Sequence, residues 1–173
     1  MTAGSTLDPL RPLDHPPRRP VARRVTTGAL ALLLVAALTG VLGDRTAQAS
    51  ASDDGWTTTV TYAASARPGL DVPFRIAVTR QGGFDGPVDV AIDRAYLEIF
   101  ESQRFFPEPS GETGDARTVV LTFDPPAGSD TLVVSYDAYV QPASQVGRAG
   151  WVGVVEADGR VVAVAQFRTV LLP

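Results

Sequence analysis

From Trp56 onward, apolar and polar residues alternate in short runs broken by glycine and proline, the period of a strand and not of a helix. Trp56, Val60 and Tyr62 open the series. Arg67-Pro68-Gly69 reads as a turn, because proline presets φ and glycine accepts a positive one. Val72, Phe74, Ile76 and Val78 then point one way and Arg75 and Thr79 the other, the clearest half-buried strand in the chain. Gln81 to Pro87 is a loop, and Val88, Val90 and Ile92 alternate with Asp89 and Asp93 in the next strand. Ala95 to Glu101 fits a strand or one or two helical turns equally well, and Ser102 to Ala116 reads as one long loop. Strands resume at Arg117 to Phe123, with Val119, Leu121 and Phe123 inward, and at Thr131 to Val140, with Leu132, Val134 and Tyr136 inward; Asp124-Pro125-Pro126 separates them.

The last two strands predict a hairpin. Asp158-Gly159 suits a two-residue type I′ turn, which pairs Val155 with Val162 and Gly153 with Val164. One face then carries Trp151, Val155, Val162 and Val164, and the other Val152, Val154, Val161, Ala163, Ala165 and Phe167. Neither is polar, so the hairpin is either central to a sandwich or offers a surface to a partner. About seven strands with frequent turn signals and no long helix predict an all-β fold, an immunoglobulin-like antiparallel β-sandwich over residues 56–173.

Ahead of the strands lies the uncharged run Val25 to Gly43, VTTGALALLLVAALTGVLG. As a helix it spans roughly 28 Å, close to the ~30 Å hydrocarbon core of a bilayer, and it predicts one transmembrane helix. Before it, residues 1–24 hold five prolines and no apolar period, a disordered Arg/Pro-rich tail; after it, residues 44–55 are small and polar and read as a linker. Residues 1–43 carry five arginines against Asp8 and Asp14, whereas the rest carries ten against seventeen acids. Arginines packed before an apolar span hold that end in the cytoplasm, so the strand domain is expected outside the cell membrane. The competing reading is a signal peptide cleaved after Ala47-Gln48-Ala49, which would release a secreted protein beginning at Ser50. Asp44 and Arg45 inside the cleavage region and the full spanning length favour the uncleaved anchor. Ala36 and Gly40, four apart, form a small-residue face of the kind that seats a second helix, a weak signal because small residues are common in such spans.

Composition removes several chemistries. The chain has no Cys, Lys or Asn, and its single histidine, His15, lies in the tail. Disulfides, thiolate metal sites, Schiff-base catalysis and Ser-His or Cys-His mechanisms are excluded. The acidic strand domain argues against nucleic acid. Paired carboxylates remain, Glu98 with Glu101 and Glu108 with Glu112, but acids so spaced ordinarily form a solvated face, and no catalytic residue is expected. Asp85, Asp89 and Asp93 flank a glycine-rich loop without the ligand spacing of a calcium site, so no metal or cofactor is expected. The most specific binding candidates are Tyr96, Phe100, Phe105 and Phe106, aromatics among acids and prolines that either grip a sugar or protein partner or fold down over the core.

Gly43-Asp44-Arg45-Thr46-Ala47, Arg67-Pro68-Gly69, Gly82-Gly83-Phe84-Asp85-Gly86-Pro87, Tyr96-Leu97-Glu98-Ile99-Phe100, Pro107-Glu108-Pro109-Ser110, Phe123-Asp124-Pro125-Pro126 and Phe167-Arg168-Thr169 resemble an uncharacterised family of actinobacterial single-pass membrane-anchored proteins. The similarity runs from the apolar segment to the C-terminus. It implies a source and a topology, and carries no site residues. The expected function is a non-catalytic interaction or structural module of the cell envelope, held in the bilayer by residues 25–43 and meeting another envelope or membrane protein. The alternative is a carbohydrate- or cell-wall-binding module.

Overall fold

The computed structural model describes residues 20–38, 45–101 and 104–172, which fall into two units, one holding a helix and the other the strands. Helix α1 runs Pro20–Leu38. It starts five residues before the expected span, with proline at its first position, where the missing N–H costs nothing. The transmembrane helix expected at Val25 to Gly43 is not found: no helix among the described residues is long and apolar enough to cross a membrane. Of that span α1 contains Val25 to Leu38, roughly 21 Å of rise. Residues 39–43, including Gly40 of the small-residue pair, and the tail of residues 1–19 lie outside the described residues.

The second unit is all-β. One sheet is ordered β1 (Arg45–Asp53), β2 (Trp56–Ala66), β3 (Asp71–Arg80), β8 (Thr131–Tyr139), β5 (Phe105–Phe106), with β11 (Val170–Leu171) added in parallel to β2. The other is ordered β10 (Val161–Arg168), β9 (Ala149–Val155), β4 (Val88–Asp93), β7 (Thr118–Phe123), β6 (Gly111–Gly114), all antiparallel. The two enclose a single apolar core as a β-sandwich. Val72, Phe74, Ile76 and Val78 of β3, Val88, Val90 and Ile92 of β4, Val119, Leu121 and Phe123 of β7, and Leu132 and Val134 of β8 all face inward as the alternation predicts. Thr58 of β2 shares that face, and its hydroxyl has no hydrogen-bond partner among the described residues. Burying it so costs about 1–3 kcal/mol.

Eleven strands are present among the described residues, where about seven were expected. The expected linker is mostly β1. Asp54 (φ +50) and Gly55 (φ +80) make the two-residue turn that pairs Asp53 with Trp56, and Ala47, Ala49 and Ala51 lay a half-buried stripe of small side chains beside β10. The expected long loop contains β5 and β6, which carry one stretch of chain from the edge of the first sheet to the edge of the second.

The β9–β10 hairpin also differs from expectation. Its loop has three residues, Ala157 to Gly159, closed by the Glu156 N–H on the Arg160 carbonyl at 2.9 Å, so Val155 meets Val161 and not Val162. Between Val162 and Ala165 a bulge absorbs one extra residue opposite Gly153, and beyond it the expected register resumes with Val152 facing Ala165. Glycine is required there, since a Cβ on residue 153 would lie 2.7 Å from Val161 Cγ1. The bulge moves Val162 onto the core side with Val152, Val154, Ala165 and Phe167, leaving Val161 39 % exposed.

Residues 95–101 resolve as a helical turn, α2 (Arg94–Leu97), capped by the Asp93 carboxylate accepting from the Ala95 N–H at 3.0 Å. The cap turns Tyr96 into the core. Thr169, where the chain crosses from β10 to β11, donates to the Ala63 carbonyl at 2.7 Å, which leaves its oxygen to accept from the Tyr96 hydroxyl at 2.9 Å. Burial pushes the Tyr96 phenol well above the ordinary value of 10.0, with the Thr169 bond opposing. A raised folded-state pKa contributes stability in full below the unfolded value and loses it as pH rises through the folded one. Stability should therefore fall progressively above about pH 10. Tyr96→Phe, costing about 1 kcal/mol at neutral pH, should flatten that decline. Denaturant melts of both chains from pH 8 upward test this; an unchanged slope in the variant would refute it.

Candidate functional site

At the edge spanned by β5 and β6 the sandwich opens into a cleft of about 350 Å³, lined by Phe100, Phe105, Tyr136, Leu97, Val119 and Leu121 with Arg94, Glu98, Glu112 and Gln141. Each wall follows from local structure. Phe105 enters because β5 pairs Phe105 with Tyr136, stacking the rings with centroids 4.4 Å apart. Phe100, bridged to Val140, meets Tyr136 edge-on at 5.9 Å. Gln141 Nε2 donates to the Phe100 carbonyl at 2.7 Å and so fixes the polar rim. Glu112 is brought in by β6, and Glu98 follows α2, with Arg148 3.8 Å from its carboxylate.

The four aromatics named from sequence thus separate. Tyr96 and Phe100 are core residues, packed with Phe74 at 5.4 and 6.3 Å, and Tyr96 offers no surface to a ligand. Phe105 is half buried in the cleft wall, and Phe106, next along β5 and so on the other face of the sheet, is 58 % exposed. Sequence spacing paired Glu98 with Glu101 and Glu108 with Glu112; the fold instead brings Glu98 and Glu112 to one cleft. Tyr136, Gln141 and Arg94 carry no sequence signal for a cleft, because the β5–β8 pairing, the Phe100–Val140 bridge and the α2 cap place them here.

The three aspartates weighed as calcium ligands have separate tasks. Asp85 pairs with Arg80 at 3.0 Å, Asp89 accepts from the Thr122 hydroxyl at 2.6 Å, and Asp93 caps α2. Among the described residues no cluster of three ligating side chains is present.

A second concavity, about 440 Å³, lies at the tip formed by the β3–β4 and β9–β10 loops. Arg80 lies over the Trp56 ring at 4.9 Å, and Phe84 flanks the indole at 6.1 Å. Nearby, Arg160 binds Asp158 at 2.6 Å, Glu156 at 2.7 Å and Asp54 at 3.3 Å, which holds the Asp158 carboxyl below the usual carboxylate range. The charged groups of this tip are matched to one another, whereas the edge cleft leaves an aromatic floor open. The chain matches no protein-family model and no curated protein. The chemistry of the cleft therefore rests on its own residues: stacking and apolar contact on Phe105 and Tyr136, and polar contact with Arg94, Glu98, Glu112 and Gln141.

Proposed function

We propose that this chain is a non-catalytic interaction module of the cell envelope, an immunoglobulin-like sandwich tethered outside the membrane by residues 25–43, whose edge cleft receives an apolar and basic segment of another envelope protein. The observation that carries the reading is the aromatic floor of the cleft, in a domain where acids outnumber arginines seventeen to ten. The immunoglobulin-like assignment is supported by the strand orders β2-β3-β8 and β10-β9-β4-β7, which follow the A-B-E and G-F-C-C′ arrangement. One feature favours an uncleaved anchor: cleavage before Ser50 would cut β1 in half. The envelope topology also accords with the resemblance to actinobacterial membrane-anchored proteins.

A second reading, binding of a wall polysaccharide, is favoured by the Phe105 ring set among carboxylate and amide groups, the pairing that stacks and hydrogen-bonds sugars. One experiment separates the two. A photo-cross-linking residue at position 112, on the cleft rim, of the full-length chain in intact cells should yield a discrete protein adduct with the chain at full mass in the membrane. Retention on purified wall polysaccharide, lost in Phe105→Ala, would instead establish the second reading, and the absence of both results would sink both.

A further inference from the structure

The outermost strand β1 pairs only with β2, and no strand among the described residues occupies its other edge. The two-residue turn makes Asp53 and Trp56 the closing hydrogen-bonded pair. Backbone groups of Asp53, Ala51, Ala49 and Ala47 therefore face β2, and those of Ser52, Ser50, Gln48 and Thr46 point outward. The strand has nine residues, no proline, no charge between Thr46 and Ser52, and no bulge beyond Thr46. Natural edges are ordinarily blunted by such devices. The other edges here are: β10 is bulged, β5 has two residues, and β6 has four with glycine at both ends.

Its sequence, RTAQASASD, is self-complementary when read antiparallel about Ala49. Arg45 falls opposite Asp53 of a second copy, Thr46 opposite Ser52, Ala47 opposite Ala51, and Gln48 opposite Ser50, so the two-fold forms the charge pair twice. Shifting by two residues loses both charge pairs, and shifting by one turns the free backbone groups out of register. The outward side chains are already fixed, Gln48 on Thr61 at 3.1 Å, Ser50 on Thr59 at 2.9 Å and Ser52 on Thr57 at 2.8 Å, so little freedom is lost on pairing. We propose that β1 pairs antiparallel with β1 of a second copy across a two-fold axis at Ala49, joining two six-stranded sheets into one. The proposal is independent of what fills the cleft.

The chain has no cysteine, so single-cysteine variants report the register directly. Gln48→Cys and Ser50→Cys sit opposite one another across the axis, with Cα atoms about 5.5 Å apart, within disulfide reach. Mixed full-length chains in detergent should oxidise to a disulfide dimer several-fold more than either variant alone. Ser50→Pro removes an outward N–H that β2 does not use, and should abolish the dimer in sedimentation while leaving the thermal midpoint near that of the parent. Should Ser50→Pro fail to fold, Asp53→Arg must lower the disulfide yield and added Arg45→Asp must restore it. A monomeric parent chain, a dimer that survives Ser50→Pro, or a mixture no better than its components overturns the proposal; association through the helix alone would show as a dimer without the 48–50 disulfide.

Discussion

Phe74→Ala should lower the unfolding free energy by about 3–5 kcal/mol, a large share of the ~5–15 kcal/mol that holds a domain together. Phe74 is the hub of the aromatic core, with ring centroids of Tyr96, Phe100, Tyr136 and Phe167 at 5.4, 6.3, 6.0 and 5.9 Å. Truncation removes one partner from four ring pairs and leaves a cavity that two sheets, fixed by their backbone ladders, close only in part. Because Phe100 and Tyr136 also line the edge cleft, the loss should extend to whatever binds there. Denaturant unfolding gives the stability directly; a loss under about 1 kcal/mol would mean that the four rings repack around the gap.

Gly150→Ala should cost about 1–3 kcal/mol, although glycine to alanine within a strand is otherwise a favourable change. A Cβ at this position would lie 2.7 Å from both Cβ and Cγ of Tyr96. That ring has no direction of retreat: Phe167 stands edge-on at 4.8 Å, Phe100 at 5.4 Å, and the hydroxyl is held by Thr169 at 2.9 Å. The test is a double-mutant cycle with Tyr96→Gly, which removes every side-chain atom that the new methyl strikes. Strong non-additivity is expected, Gly150→Ala being far less harmful in the Tyr96→Gly background. Additive losses would place the strain elsewhere.

Strand alternation located the core well because burial on one face imposes a period of two wherever a strand is half exposed, and β3, β4, β7 and the first half of β8 are all of that kind. It failed where the side chains are small. In β1 alanine does the work that valine does in β3, so the stripe Ala47, Ala49, Ala51 carries little hydrophobic contrast, and the Asp54-Gly55 turn was the overlooked signal. It failed again at Asp158-Gly159, since the same dipeptide serves a two-residue or a three-residue loop, and the difference depends on a bulge that only pairing with Gly153 creates. Of the four aromatics, spacing identified the segment but could not decide depth. An N-cap at Asp93 sends Tyr96 inward, and pairing with β8 holds Phe105 at the wall. The cleft is assembled from five separated stretches of chain, so its polar rim had no local signature to read.

The Thr169 crossing bears on the order in which the domain is made. Its two hydrogen bonds reach Ala63 and Tyr96, 106 and 73 positions earlier in the chain, and β11 then docks beside β2 through Val170 opposite Ser65. Contacts so distant along the chain close late, after the loops between them have been ordered. As the chain emerges from a ribosome or a translocation pore, both sheets can be nearly complete while Tyr96 still lacks its partner and β2 still has two residues uncovered. Thr169, Val170 and Leu171 are the residues that latch the core.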